Sequence, residues 1–193
     1  MNEYSVFKTI IESRRTVKPL MMNGRQIPAE EITELLSLAN WAPTHGLTEP
    51  WRFKVYAGEQ ANLFCREHAL LYQQHTPADK FKQDKFEKLL HMGDQASHII
   101  IAIMHRGNLP GIPQLEEIAA ASCAIQNLLL GATALGIASY WGSGGMAYHP
   151  VMHNFLSLPP EDLVLGILYF GYTDKQLQGR RNTSMEDKID YIK

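Results

Sequence analysis

Hydrophobic positions change their spacing from segment to segment, and each spacing predicts an element. In residues 5–13, SVFKTIIES, Val6, Phe7, Ile10 and Ile11 recur at helical intervals and predict a short helix with one apolar side. IPAEEITELLSLANWA, residues 27–42, carries a clearer stripe of Ile32, Leu35, Leu36 and Ala39. Pro28 suits its first turn, and Glu30 and Glu31 favour the positive end of a helix. RFKVYA, 52–57, sets Phe53 and Val55 against Arg52 and Lys54 and reads as a strand. Residues 59–90 are mixed, charged and helix-prone, with a break near Thr76-Pro77. SHIIIAIMHR, 97–106, is a β-branched run that predicts a central strand. A long helix follows Pro113 and runs to Gly136. ASYWGSGGM then passes from a short apolar strand into a glycine-rich turn, PVMHNFLSL is a short helix, and EDLVLGILYFGY is a second buried strand. Residues 172–193 form a polar, charged tail. Without repeats, low-complexity segments or linkers, residues 1–193 read as one α+β domain with few, well-separated strands.

Composition narrows the function classes. Apolar residues make up 45% and charged residues 20%, the balance of an ordinary globular protein. A net charge of −2 lacks the basic footprint of a nucleic-acid binder. Cys65 and Cys123 are too few for a disulfide scaffold; each is expected to be a small buried hydrophobe in a reducing, cytoplasmic setting. The start, MNEYSVFKTIIESRR, lacks the basic-then-apolar order of a secretory signal. Residues 118–137 carry no charge and reach the length of a membrane span, about 20 residues. They are rich in alanine and glycine, contain Ser122, Gln126, Asn127 and Thr133, and have no close basic flank. A helix buried on most sides of a soluble protein, with no membrane partner, fits them better.

Most familiar catalytic patterns are missing: no GxGxxG, P-loop, GxSxG, CxxC or HExxH occurs. His91, His98 and His105 repeat every seven residues but fall on a helix end, a strand start and a strand end, so no metal site is expected. Four features remain. SRRT, 13–16, places two forked cations at a helix end, suited to a phosphate or simply to the helix dipole. WGSGG, 141–145, is a turn whose backbone N–H groups a ligand can approach closely. GRR, 179–181, is a second arginine pair in the tail. LANWAPTHGLTEPW, 38–51, inserts proline, threonine, histidine and glycine between a helix and a strand.

In this order and spacing, the four features, together with AIQNLLLGATALGI and LVLGILYFGY, resemble the nitroreductase family of FMN-dependent oxidoreductases, its shorter-chain members above all. The resemblance runs nearly end to end. It implies a three-layer sandwich, a small mostly antiparallel sheet flanked by helices, in an intertwined homodimer with a tail strand exchanged. It implies that Arg14, Arg15 and Thr16 hold the FMN phosphate and ribityl chain and that Arg181 or Arg180 reaches the same phosphate. Gly142, Ser143 and Gly144 would offer backbone N–H groups to the flavin ring, with Trp141 beside it. Pro43, Thr44 and His45 would cross to the flavin bound mainly by the other subunit, while Pro50 and Trp51 anchor the loop's return. Ala120, Ala121 and Ala124 would permit close approach at the dimer interface, and Gln126 and Asn127 would be buried but paired. No catalytic side chain and no metal are implied: flavin N5 takes hydride from NAD(P)H and passes it to a nitroaromatic or quinone in a ping-pong cycle. Thr44, Gly46 and Glu49 stand where the family often has an acidic residue, a lysine and a glutamine, which leaves the substrate open. Dehalogenation, flavin fragmentation and non-enzymatic flavin binding are the other readings.

Overall fold

The computed structural model describes residues 2–192. Its elements are α1 (Glu3–Ser13), α2 (Ala29–Ala39), β1 (Trp51–Ala57), α3 (Glu59–His75), α4 (Gln83–Leu90), β2 (His98–Met104), α5 (Gln114–Ala134), β3 (Ala138–Gly142), α6 (Pro150–Phe155) and β4 (Leu163–Gly171). The four strands form one antiparallel sheet in the order β1-β2-β4-β3. The two apolar runs therefore lie side by side at its centre, where both faces are covered and no polar position is needed.

Side-chain alternation splits the core in two. Ile99, Ile101 and Ile103 of β2, with Ile167 and Tyr169 of β4, pack against Phe64, Ala69 and Tyr72 of α3, Leu89 of α4 and Met152 of α6. Ile100, Ala102 and Met104, with Leu168 and Phe170, face Ile32 and Leu35 of α2 and Ala121, Ala124, Ile125 and Leu128 of α5. Helix, sheet and helix form three layers, as expected. A Cβ on Gly131 would lie 2.6 Å from Leu38 Cδ1, so the α2–α5 crossing needs that glycine. β1 is an edge strand: Phe53 is half-buried and Val55 exposed. Between Ala102 and Ile103 the β2–β4 register shifts, leaving Leu165 as an extra residue on β4. No helix among the described residues is long and apolar enough to cross a membrane.

Several expectations need correction. α1 buries none of its residues, and Tyr4, Phe7 and Ile11 are exposed. Cys65 is buried as expected, but Cys123 is exposed. α5 is buried on one side only. Ala120, Ala121 and Ala124 line their own chain's core rather than an outer face, because that side meets the sheet. The opposite side carries Leu115, Ala119, Cys123 and Gln126, all exposed. Within the single chain Gln126 is exposed, while the half-buried Asn127 donates through Nδ2 to Leu38 O at 3.3 Å.

Candidate functional site

The two arginine pairs, some 160 residues apart in sequence, meet in space. α1 ends as the Arg14 N–H donates to Ile10 O at 3.1 Å, and the chain becomes extended. Thr16 bridges Ser139 of β3, and the Val17 N–H donates to Ser139 O at 2.9 Å, pinning the arginines beside the sheet edge. Arg15 ties down the tail: Nε donates to Leu177 O at 3.0 Å, and Nη1 to Glu12 O at 2.5 Å and Arg14 O at 3.0 Å. Gly179 lies on its guanidinium, where an added Cβ would be 2.6 Å from Cζ. The result is a cleft of about 370 Å³ whose charged lining is Arg14, Arg15, Lys18, Arg180 and Arg181, with Thr16 among them and no carboxylate. Among the described residues these five cations have no counter-ion, an arrangement suited to an anion. The two arginines of the first motif differ in role: Arg15 spends its donors on carbonyls, whereas the Arg14 side chain makes no hydrogen bond among the described residues and is free to meet a ligand.

From Ser139, β3 runs three residues, roughly 10 Å, to Gly142. Trp141 lies on the bulge, its Nε1 donating to Leu165 O at 2.9 Å, and the Tyr148 hydroxyl donates to the same oxygen at 3.1 Å. Only glycine fits at 166, where a Cβ would stand 2.2 Å from Trp141 Nε1. Ser143 and Gly144 are exposed, and Gly145 turns the chain at φ +66°. Behind this turn sits His68 of α3, 1% exposed. The Met146 N–H donates to His68 Nε2 at 2.8 Å, so Nδ1 carries the ring proton, and Nδ1 is buried without a partner. Burial, assisted by Lys85, pushes the His68 pKa down to about 4. His68, Lys85, Lys88, Tyr140, Gly142 and Gly144 line a cavity of about 180 Å³. His68 and the two lysines were not foreseen. They belong to the charged, weakly patterned stretch 59–90, where one histidine and two lysines carry no distinguishing signal.

The third part is the loop after α2. Gly46, Leu47 and Glu49 all have positive φ, at 59°, 52° and 43°. For leucine and glutamate this conformation costs on the order of 1 kcal/mol or more each, and such strain concentrates at functional sites. Thr44 closes the loop on itself: the Glu49 N–H donates to Thr44 Oγ1 at 3.3 Å, and the hydroxyls of Thr44 and Thr48 are 3.1 Å apart. His45 faces outward, with Nδ1 2.7 Å from Glu116 Oε2 on α5. The return is anchored as expected. Trp51 Nε1 donates to Asn40 Oδ1 at 3.0 Å, and Pro50 O accepts from the His105 N–H at 2.7 Å. Neither the arginine cleft nor the glycine-turn cavity is lined by Pro43, Thr44 or His45.

A buried polar cluster supports this loop from behind. Glu117 Oε1 accepts from the Gly107 N–H at 3.0 Å, and Oε2 pairs with Arg106 Nη1. Arg106 Nη2 donates to Ile112 O at 2.8 Å. Asp162 Oδ1 accepts from the Arg106 N–H at 3.1 Å and lies 2.9 Å from His105 Nδ1. His91 and His98 are taken up by Asp94 and Ser97, at 2.8 and 2.9 Å.

The model of the nitroreductase family matches residues 11–172, a stretch that includes the first arginine pair, the loop and the glycine turn. The chain belongs to the nitroreductase family. A relative, YfhC of Bacillus subtilis, named as a NAD(P)H nitroreductase, is 28% identical over 191 residues, covering 98% of this chain and 95% of its own. The solved nitroreductase-like family protein of Bacillus cereus superposes with a TM-score of 0.81 at 27% identity, covering 100% of this chain and 98% of that one. NfnB of Mycobacterium smegmatis, an FMN-dependent nitroreductase solved with NADPH, shares the fold, with a TM-score of 0.77, 18% identity and full coverage of both chains. The small antiparallel sheet between helices is the nitroreductase fold.

Proposed function

We propose that this nitroreductase is a single-domain, FMN-dependent oxidoreductase that takes hydride from NAD(P)H and gives it to an electron-poor small molecule such as a nitroaromatic or quinone. One observation carries the reading: the cation-lined cleft of Arg14, Arg180 and Arg181 opens beside Thr16, at the start of the strand that ends in the glycine turn. A phosphate in the cleft and a planar ring along Gly142, Ser143 and Gly144 fit that layout. Ser143 and Gly144 are exposed beyond the strand end, and the cleft holds positive charge with no carboxylate among its described lining residues. FMN, when bound, supplies both halves of a ping-pong hydride transfer. Among this chain's residues, Arg14 and the tail arginines would bind the phosphate, Arg15 would hold the tail over it, and the turn would orient the ring. Relatives named or solved as NAD(P)H- and FMN-dependent nitroreductases support the assignment.

The working unit in this reading is a homodimer in the cytoplasm. Trp41, 84% exposed, the outward residues of α1 and the uncharged outer stripe of α5 leave apolar side chains uncovered in the single chain, which an interface between two copies would cover. In this assembly Pro43, Thr44 and His45 complete the partner's site, which accounts for a strained loop remote from the other two parts.

Anaerobic titration of the yellow protein with NADPH and with NADH tests the reading. Loss of the oxidised flavin absorbance, restored by menadione or a nitroaromatic, is expected. Flavin that stays oxidised in the presence of both nucleotides refutes it. Arg14→Ala should weaken FMN binding about 10- to 100-fold, the loss of roughly 1.5–3 kcal/mol from one charge-assisted contact. Fluorescence titration of the apoprotein measures this, and an unchanged Kd removes Arg14 from the phosphate site.

A further inference from the structure

The contact between His45 and Glu116 is not accounted for by folding. Both side chains are well exposed, 63% and 47% respectively, and pairs so exposed add little to stability. Its consequence is chemical. A carboxylate only accepts, so the 2.7 Å contact places the ring proton on Nδ1. Nε2 is then the outward nitrogen: a lone pair when the ring is neutral, an N–H donor when it is protonated. The ring stands on a loop whose backbone is fixed in an unfavourable conformation at Leu47 and Glu49 and whose threonines bond only to the loop itself. Backbone and carboxylate together aim one nitrogen away from its own chain.

We propose that Glu116 is a positioning residue that holds His45 with Nε2 presented to the electron acceptor in the partner's site, and that this nitrogen delivers the proton accompanying each hydride. The proposal rests on the homodimeric reductase reading. Two-electron reduction of a quinone consumes one hydride and one proton: the hydride gives the mono-deprotonated hydroquinone and the proton completes the hydroquinone. The hydride is the one taken from NAD(P)H. That proton leaves Nε2 as an O–H bond forms on the acceptor, and the exposed ring recovers a proton from water.

Two measurements separate this proposal from the reading beneath it. The first needs no turnover. In 15N-correlated spectra of the wild-type protein, neutral His45 is expected as the Nδ1–H tautomer, and Glu116→Ala should shift it toward Nε2–H. An unchanged tautomer overturns the positioning role, whatever NAD(P)H does to the protein. The second is stopped-flow of the two half-reactions. Glu116→Ala should leave the rate of reduction by NADPH within about twofold of wild type and slow reoxidation by a quinone by up to about 100-fold, the low end of what a positioned general acid contributes. His45→Ala should slow reoxidation by the quinone at least as much as Glu116→Ala does, and the double variant should be no slower than His45→Ala alone. Reoxidation at the wild-type rate, or losses that multiply in the double variant, overturns proton delivery. Failure of the reductase reading looks different: neither wild type nor variant is bleached.

Discussion

Replacing Glu117 by alanine lowers the unfolding free energy by about 3–5 kcal/mol, the cost of stranding one partner of a buried ion pair. Glu117 is 1% exposed and satisfies two donors, the Arg106 guanidinium and the Gly107 N–H. Truncation leaves the first with only the Ile112 carbonyl and the second with nothing. For a chain of this size the loss is roughly 10 °C in melting temperature. Scanning calorimetry at one fixed protein concentration, since an oligomer's melting depends on it, measures the effect. Replacing both partners together, Arg106→Met with Glu117→Leu, should recover most of it, because neither charge is then buried alone. A Glu117→Ala melting curve within 2 °C of wild type would show that the pair does not hold the loop's support together.

Acidification gives the second large effect, through His68. Its pKa is about 4 in the folded chain, against an ordinary value of 6.5. Above pH 6.5 the ring is neutral in both states and contributes no pH dependence. As the pH falls from 6.5 toward 4, the unfolded chain binds a proton that the native cavity refuses, so native stability falls by up to about 1.4 kcal/mol per pH unit. The total is about 3 kcal/mol, complete near pH 4. Carboxylates titrate over part of the same range, so the measurement is a difference. His68→Gln can still accept from the Met146 N–H through its amide oxygen but does not titrate. In urea unfolding, the stability of wild type minus that of His68→Gln should drop by about 3 kcal/mol between pH 7.5 and pH 4. A difference that stays constant with pH would mean that the ring takes up its proton in the native state as readily as in the unfolded one.

The strands and most helices were legible because burial imposes a period on a strand or helix. β2 and β4 read as apolar runs and became the two central strands. α5 was misread in part. Its stretch without charge suggested burial on most sides, yet lack of charge does not say which side meets the sheet, and Gln126 and Cys123 face outward in the single chain. Strand order was not legible, since periodicity says nothing of neighbours. The site was legible where one short motif holds the chemistry, as in SRRT and GRR, which the structure brings to one cleft. The division of labour between Arg14 and Arg15 was not, because it depends on where carbonyls 12, 14 and 177 fall. The Arg106–Glu117–Asp162 cluster joins three separate segments, and no local pattern announces such a meeting.

The sheet order bears on how the chain is made. β2, His98–Met104, has β1 on one side and β4 on the other, and residues 105–162 separate it from β4. During synthesis the isoleucine-rich strand therefore emerges with one hydrogen-bonding edge open, and it stays open until more than fifty further residues have been added. An uncovered edge of this composition pairs readily with other nascent chains. Yield in a cell should thus be limited by protection of that edge on the ribosome, through chaperone supply or slow growth temperature, more than by the stability of the finished fold.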